Sequence, residues 1–288
     1  MPRDLSDVLH YFLPELDGAP VAASDATRAF VRRPDLVPAS PPRRRMPPPP
    51  RDASLLPLSI LGVPLGERDV VHAAYTWNLA VETARLGGSS AILTPDHARA
   101  APLWPGSKSG PGDVEIVHSP ARNLAELRRS AAELADERGK TASRGGVVFA
   151  HIPPAWLDAS ETNPALAPDG IRWLLLFTSA RSREIESTFE GIRRWVRARP
   201  GLEVGVAIHG VRRIDDARQA FDELARRCDQ QIGLALASYG LLVDDLDVYR
   251  AIAAGRSVMG TSPNCPAARA LNDVARLIYE DARSRVLG

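Results

Sequence analysis

The chain has 288 residues with a formal net charge of +1; 44% of its residues are hydrophobic and 25% are charged. These proportions are ordinary for a soluble globular protein. The near-zero net charge gives no argument for a nucleic-acid partner or an anionic membrane, so we expect neither. Nearly all the cations are arginines, and any function that needs a lysine must use Lys108 or Lys140.

The sequence indicates a cytoplasmic protein. The first residues, MPRDLSDVLHYF, are charged and lack the long apolar core of a signal peptide. No apolar run approaches the roughly 20 residues needed to span a bilayer, so we predict no membrane partner. The two cysteines, Cys228 and Cys265, do not form a close pair of metal ligands. A reducing cytoplasm is the predicted compartment, and no metal site is expected.

The first 52 residues differ from the rest of the chain. Within an N-terminal docking segment (residues 1–33), the stretch 4–16, DLSDVLHYFLPEL, has apolar residues at helical spacing until Pro14 ends the pattern. Residues 34–52, PDLVPASPPRRRMPPPPRD, form a proline-rich linker that cannot bury enough apolar surface to fold. We predict a short helix on a semi-rigid tether, followed by a compact domain over residues 53–288.

Strand and helix patterns alternate through this domain. Apolar runs predict strands at Leu58–Val63, Ala91–Thr94, Val114–Val117, Gly146–Ala150, Ile171–Thr178, Val204–His209 and Gly240–Val243. Amphipathic stretches predict helices at Val70–Leu86, Asn123–Arg138, Glu184–Arg199, Asp215–Cys228 and Ala267–Val286. The alternation predicts an α/β fold with a doubly wound, mostly parallel sheet and helices on both faces. In such sheets, ligands bind beyond the carboxyl ends of the strands.

The stretch from Leu61 to Asp96 has the order strand, loop, helix and strand. Its segment GERDVVHAAYTWNLA resembles, without a gap, the first motif of the MinD/ParA family of deviant-Walker P-loop ATPases. That motif reads roughly G-K-G-G-V-G-K-S and is followed by a helix ending in N-L-A. Gly66, Val70 and the run Asn78-Leu79-Ala80 match it. The following RLGGSSAILTPD resembles the family's K-L-G-K-K-V-L-L-I-D-A-D, and the FlhG branch (flagellar number regulators) is the most similar.

The C-terminal half carries the same resemblance. GLEVGVAIHGV resembles the family's strand ending in V-N-x-V, and the segment from Tyr239 to Ala275 resembles L-G-Y-I-P-x-D followed by P-x-S-P-A-A-R-A. The matching positions are Asp245, Val248, Ala251, Pro263, Pro266, Ala267, Ala268 and Arg269. The resemblance covers residues 55–286. It implies a P-loop NTPase fold and, in the family, dimerisation around two sandwiched ATP molecules.

The departures from the family pattern fall on its chemistry. The signature lysine aligns with Glu67, the two central glycines with Arg68 and Asp69, the phosphate-binding lysine with His72, and the magnesium-binding hydroxyl residue with Ala73. Of the D-A-D pair only Asp96 remains. The Walker B aspartate aligns with Ala150, and the base-contacting asparagine with His209. The resemblance therefore gives a degenerate nucleotide site at Gly66, Glu67, Arg68, Asp69, His72, Ala73, Asp96, Ala150 and His209.

These replacements predict that ATP hydrolysis is lost. A phosphate loop holds phosphates with consecutive backbone N–H groups that point inward, and this geometry needs glycines. Glu67 and Asp69 place negative charge where a triphosphate would lie. No aligned lysine remains to stabilise phosphoryl transfer. We therefore expect neither ATP nor Mg²⁺ to bind in the family's mode, and we assign no catalytic residue.

FlhG-type proteins often begin with a short helix of the pattern D-Q-A-x-x-L-R that engages a partner GTPase. The segment DLSDVLH resembles this pattern, although the arginine is replaced by His10. We predict a protein partner bound through Asp4, Leu5, Leu9 and Phe12, because an amphipathic helix on a tether suits recognition by a groove. The alternative is that this helix folds back onto the main domain.

Together, these observations predict a catalytically degenerate MinD/FlhG-like protein. It would act as a binding, scaffold or regulatory protein in bacterial spatial organisation, such as flagellar, polar, motility or division positioning. One alternative is an active ATPase whose rebuilt loop uses Arg68 or His72. Another is a nonspecific DNA-binding partition protein acting through the arginines at positions 193, 194, 197 and 199. Without ATP, the chain would be a monomer, a constitutive homodimer or a pair with an active paralogue.

Overall fold

The structure, a computed structural model, describes residues 57–96, 104, 114–158 and 171–287. Its strands are β1 (Ser59–Pro64), β2 (Ser89–Pro95), β3 (Glu115–Ser119), β4 (Gly146–Ile152), β5 (Trp173–Ser179), β6 (Glu203–Val211) and β7 (Ala237–Val243). Its helices are α1 (Val70–Arg85), α2 (Leu124–Gly139), α3 (Pro154–Asp158), α4 (Ser182–Ala198), α5 (Ile214–Ile232), α6 (Leu246–Ala253), α7 (Val258–Thr261) and α8 (Pro266–Leu287). The predicted docking segment and linker, with Asp4, Leu5, Leu9 and Phe12, lie outside the described residues.

The strands form one sheet in the order β3-β2-β4-β1-β5-β6-β7, and every pair of neighbours is parallel. The predicted α/β fold is thus confirmed, with a sheet that is wholly parallel over the described residues. The central strands β4 and β5 are buried along their entire length, which explains why they are continuous apolar runs in the sequence.

The strand order reverses beside β1. From β1 the chain moves through α1 to β2 on one side of the sheet, whereas from β4 it moves through α3 to β5 on the other side. Right-handed crossovers then place α1 and α8 on one face and α2, α4 and α5 on the opposite face. The carboxyl ends of β1 and β4 therefore flank a topological switch point, where ligands bind in folds of this type.

Helix α1 is buried on almost all sides, because α8 covers the face that the sheet leaves open. Residues 73–83 are all buried, although they include polar side chains. Asn78 donates to the carbonyl of Ala74 and accepts from the backbone N–H of Val258 at 2.9 Å. It thereby attaches α7 to α1. The matching asparagine of the N-L-A run is thus an architectural residue.

The amino end of the sheet is closed by Tyr239. Its hydroxyl accepts from Nε1 of Trp173 at 2.9 Å and donates to the carboxylate of Asp281 at 2.8 Å. The ring lies directly over Gly205 of β6, where an added Cβ atom would come within 2.0 Å of a ring carbon. The buried ring cannot move without breaking both hydrogen bonds, so glycine is required at this position.

None of the helices in the described ranges is long and apolar enough to cross a membrane.

We expect Gly205→Ala to lower the free energy of unfolding by at least about 1–3 kcal/mol, because it overpacks a rigid part of the core. The measurement is urea unfolding followed by circular dichroism. The matched control is Gly191→Ala in α4, where the new Cβ would meet Trp195 at 3.4 Å, an ordinary contact. Alanine should raise the stability there by up to about 1 kcal/mol, because it favours a helix over glycine. Equal effects of the two substitutions would contradict this packing.

Candidate functional site

The loop between β1 and α1 contains only Leu65 to Asp69. Two backbone N–H groups where the loop meets α1 are used within the protein: Asp69 donates to the carbonyl of Gly66 at 3.1 Å, and Val70, the first residue of α1, donates to that of Arg68 at 3.0 Å. The φ angle of Gly66 lies outside the left-handed region, and an added Cβ atom would meet nothing within 4 Å. The loop is therefore a tight turn that does not need its glycine, and these two N–H groups do not face a common ligand.

Asp69 occupies the amino end of α1. Its carboxylate accepts from the backbone N–H of His72 at 3.2 Å and from Nδ1 of the same residue at 2.7 Å. Burial acts to raise the pKa of Asp69, but the hydrogen bonds and the charge of His72 outweigh burial and hold the pKa below its usual value. An ionised carboxylate thus lies where the helix dipole and the free N–H groups favour an anion.

His72 connects Asp69 to His209 at the carboxyl end of β6. The ionised carboxylate can only accept, so Nδ1 of His72 carries the proton. In the neutral ring, Nε2 then has a free lone pair and faces Nε2 of His209 at 2.9 Å. Phe177 stacks on the His72 ring with centroids 5.2 Å apart, and Tyr75 lies 6.4 Å away. Packing and hydrogen bonds therefore fix the orientation of the His72 ring.

A bulge in β6 places His209 next to α1. The pairing of β6 with β7 shifts between His209 and Val211, and the intervening Gly210 has a φ of 68°. Such an angle is accessible to glycine at little cost. Burial, followed by the neighbouring charge of His72, lowers the pKa of His209 from 6.5 to about 4. His209 is thus neutral near pH 7.

A second polar cluster lies at the switch point, where the sequence analysis predicted none. His151 of β4 is buried, with Nδ1 at 2.9 Å from the hydroxyl of Thr94 and Nε2 at 3.1 Å from the carbonyl of Leu65. Because a carbonyl only accepts, Nε2 carries the proton and Thr94 donates to Nδ1. The network joins the ends of β1, β2 and β4. Its only sequence signal is a histidine next to the position of the Walker B aspartate.

The structure brings some of the predicted site residues together and leaves others apart. His72 is in direct contact with both Asp69 and His209. Glu67 and Arg68 are exposed on the turn, and Ala73 and Ala150 are fully buried methyl groups. Asp96 follows β2, and β4 separates that strand from β1. Lys140, one of the two lysines, lies at the opposite edge of the sheet, at the end of α2, where it pairs with Asp136 at 2.9 Å.

A cleft of about 730 Å³ opens beside the histidine pair. Its walls come from the ends of β5 and β6, the amino ends of α4 and α5, and helix α6. Two arginines line it, and both are paired with acids: Arg181 with Glu184 at 3.3 Å and Arg212 with Asp244 at 3.5 Å. Tyr249 closes one side. The cleft is therefore polar and nearly balanced in charge.

The arginines considered for DNA binding are largely engaged within the fold. Arg199 is buried and donates to the carbonyls of Trp156 and Leu157. Arg193 pairs with Glu190, and Arg194 lies 3.6 Å from Asp158. The contacts of Arg194 and Arg199 hold the end of α4 against α3, whereas the Arg193–Glu190 pair lies within α4 and Arg197 is exposed.

No protein-family pattern and no curated protein sequence matches the chain. Several solved structures are similar to the chain. The cell-division protein MinD of Aquifex aeolicus is similar over 77% of this chain and 97% of its own, with a TM-score of 0.52 and 11% identity. Septum site-determining MinD of Pyrococcus horikoshii, in complex with Mg-ADP, has a TM-score of 0.46 at 13% identity, covering 77% of this chain and 96% of its own. The cell-division ATPase MinD of Pyrococcus furiosus has a TM-score of 0.47 at 16% identity, covering 78% of this chain and 99% of its own.

We base the fold assignment on the Aquifex aeolicus protein, which has the highest TM-score of the three. The chain has the MinD fold, as the sequence predicted. At 11% identity, the similarity concerns the path of the backbone and carries no information about the chemistry of the site.

The histidine pair should make stability depend on pH. The unfolded state has a His209 pKa of 6.5 and the folded state a pKa of about 4, so the unfolded state binds the extra proton between these values. The stability from neutral His209 is fully present above the unfolded pKa and is lost as the pH falls towards 4. Between about pH 7 and pH 4 we expect the native chain to lose up to about 3 kcal/mol more than His209→Gln, measured by urea unfolding. If both proteins lose the same stability as the pH falls, the pKa of His209 is not lowered in the folded state, which would contradict this prediction.

Proposed function

We propose that this protein is a MinD/ParA-type protein of the FlhG-like branch that has lost ATP hydrolysis. It would work as a binding or scaffold protein in bacterial spatial organisation. Two findings support the proposed relation to the MinD/ParA family: the MinD fold and the ordered motif matches along the sequence. Gly66, Asn78 and Asp245 are among those matches.

The observation that carries the loss of ATP binding is the carboxylate of Asp69 at the amino end of α1. A P-loop protein leaves this position to the phosphates of its nucleotide. Here a triphosphate would have to displace the carboxylate, break its bonds to His72 and approach both Asp69 and Glu67. Two negative charges oppose a polyanion, and no lysine is aligned to offset them. The binding mode of the family therefore does not fit this site.

The residues on the metal side do not fit either. Mg²⁺ takes oxygen ligands, mainly carboxylates, phosphates and water. Ala73 and Ala150 offer methyl groups, and the hydroxyl of Thr94 donates to His151, so Asp96 is the one carboxylate left among these aligned positions. Removing a single group that stabilises the transition state commonly costs about 3 kcal/mol of barrier, and several such groups are replaced here. The architecture of the family is kept without its electrostatic machinery.

The test of this proposal is calorimetric titration of the full chain with ATP and Mg²⁺, together with an assay of phosphate release. We expect no saturable binding below about 1 mM ATP. A dissociation constant above this value corresponds to a binding free energy of less than roughly 4 kcal/mol. Asp69→Asn, which keeps the helix cap but removes the charge, should bind ATP no worse than the native chain. Micromolar binding with turnover that collapses in His72→Gln or Arg68→Ala would contradict the proposal and favour an ATPase with a rebuilt loop.

A scaffold needs a partner, and we propose that the N-terminal docking segment provides the contact. Leu9→Ala with Phe12→Ala should abolish capture of a specific protein from a lysate of the native host, because anchor residues of a helix in a groove dominate its binding energy. The matched control is Leu246→Ala, an apolar residue of α6 that is 68% exposed on the main domain. Capture that survives the double substitution and is lost in the control would place the contact on the main domain.

A further inference from the structure

The two histidines at the cleft meet through their Nε2 atoms. These atoms are 2.9 Å apart, the ring planes are inclined by 75°, and the ring centroids are 4.6 Å apart. A head-on hydrogen bond between two imidazoles would place the centroids further apart than this. At least one ring is therefore inclined to the line that joins the nitrogens. Both residues line the cleft, so a ligand that enters the cleft can reach them.

Asp69 fixes the tautomer and the orientation of the His72 ring. It holds the proton of His72 on Nδ1 through a 2.7 Å contact, so that the lone pair is on Nε2. A carboxylate behind a histidine is the usual support of a metal-binding imidazole, since it fixes the tautomer and increases the basicity of the ring. Stacking on Phe177 and the proximity of Tyr75 restrict the ring further. The arrangement is thus organised before any ligand arrives.

We propose that Nε2 of His72 and Nε2 of His209 together bind one divalent transition-metal ion of the Zn²⁺, Ni²⁺ or Cu²⁺ class. Without the ion, Nε2 of His209 donates to the lone pair of His72. When the ion binds, Nε2 of His209 releases that proton to solvent and Nδ1 of the same ring takes one up, so that both Nε2 atoms offer a lone pair. At metal–nitrogen distances of about 2.0–2.1 Å, two bound nitrogens lie about 2.9 Å apart at a right angle and about 3.3 Å apart in a tetrahedron. The observed 2.9 Å equals the right-angle distance, so Ni²⁺ or Cu²⁺ would require almost no movement of either ring. A tetrahedral Zn²⁺ site would require the two nitrogens to separate by about 0.4 Å. Imidazole suits these ions and not Mg²⁺, so the site is distinct from the magnesium site of a nucleotide hydrolase.

The remaining coordination positions face the cleft. Two protein ligands leave room for water or for a small anionic ligand, and the cleft of about 730 Å³ admits either. The metal site goes beyond the proposed function, and it neither requires nor excludes a nucleotide. The sequence analysis expected no metal site, and no local motif joins these two histidines, which lie 137 positions apart.

Another group of candidate ligands provides a competing outcome. Asp245, Asp247 and Cys265 have ligand atoms within 4.8 Å of one another. Their polar atoms already serve the fold: Asp245 accepts from the N–H groups of Asp247 and Ala267, and the Cys265 sulfur accepts from that of Ala268. These half-buried groups are already used within the fold, so the cluster carries no proposal of its own.

The experiment is calorimetric titration of the full, chelator-stripped chain with ZnCl₂, without nucleotide. We expect one equivalent to bind to the native chain. His72→Gln and His209→Gln should each weaken this binding by more than about tenfold, and Asp69→Asn by about 10–100-fold through the lost support of the ring. His118→Gln, on the exposed edge strand β3, is the matched control and should bind as the native chain does.

A second readout separates ligand loss from unfolding. Zn²⁺ should raise the melting temperature of the native chain, because a ligand that binds only the folded state stabilises it. The glutamine variants should melt near the native temperature without metal and show no shift with it. Binding that is unchanged in both glutamine variants, or lost only in Cys265→Ser, overturns the proposal. Because no nucleotide is present, neither outcome bears on the loss of ATP binding.

Discussion

The carboxylate of Asp69 at the amino end of α1 is the interaction on which the rest of the site depends. A helix amino end offers N–H donors and partial positive charge, and it favours an anion whether that anion belongs to a ligand or to the protein. In this chain the anion is the side chain of Asp69, the N-cap residue of α1. It neutralises the end of the helix, orients the ring of His72 and thereby sets which nitrogen of that ring faces the cleft.

The parallel sheet determines which residues surround Asp69 and His72. Because all the strands end at the same edge, α1 begins beside the ends of β5 and β6, and the β6 bulge at Gly210 brings His209 against His72. Phe177 of β5 fills the space behind the ring. The fold thus builds a rigid pair of imidazoles at the edge where related architectures place their ligands. Neither histidine would be organised in this way in an exposed loop.

The switch point is occupied by a network of neutral hydrogen bonds. Buried carboxylates that await a metal ion destabilise an empty protein, because an uncompensated buried charge is costly. The network of Thr94, His151 and the Leu65 carbonyl is instead complete within the chain and joins three strands. A site satisfied in this manner gives a stable fold without nucleotide.

The sequence by itself determined the order and type of the main elements, because each strand and long helix has a local hydrophobic period. It also grouped Asp69, His72 and His209 at one site through the family resemblance, but the cap formed by Asp69 was seen only in the structure. It did not indicate α6 and α7, whose starts depend on caps by Asp245 and Ser257 more than on periodicity. Only the tertiary structure decided that His72 meets His209, and His151 meets Thr94, across 137 and 57 positions. A hydrogen bond depends on distances of a few tenths of an ångström, which the sheet register and the β6 bulge set and no local pattern encodes.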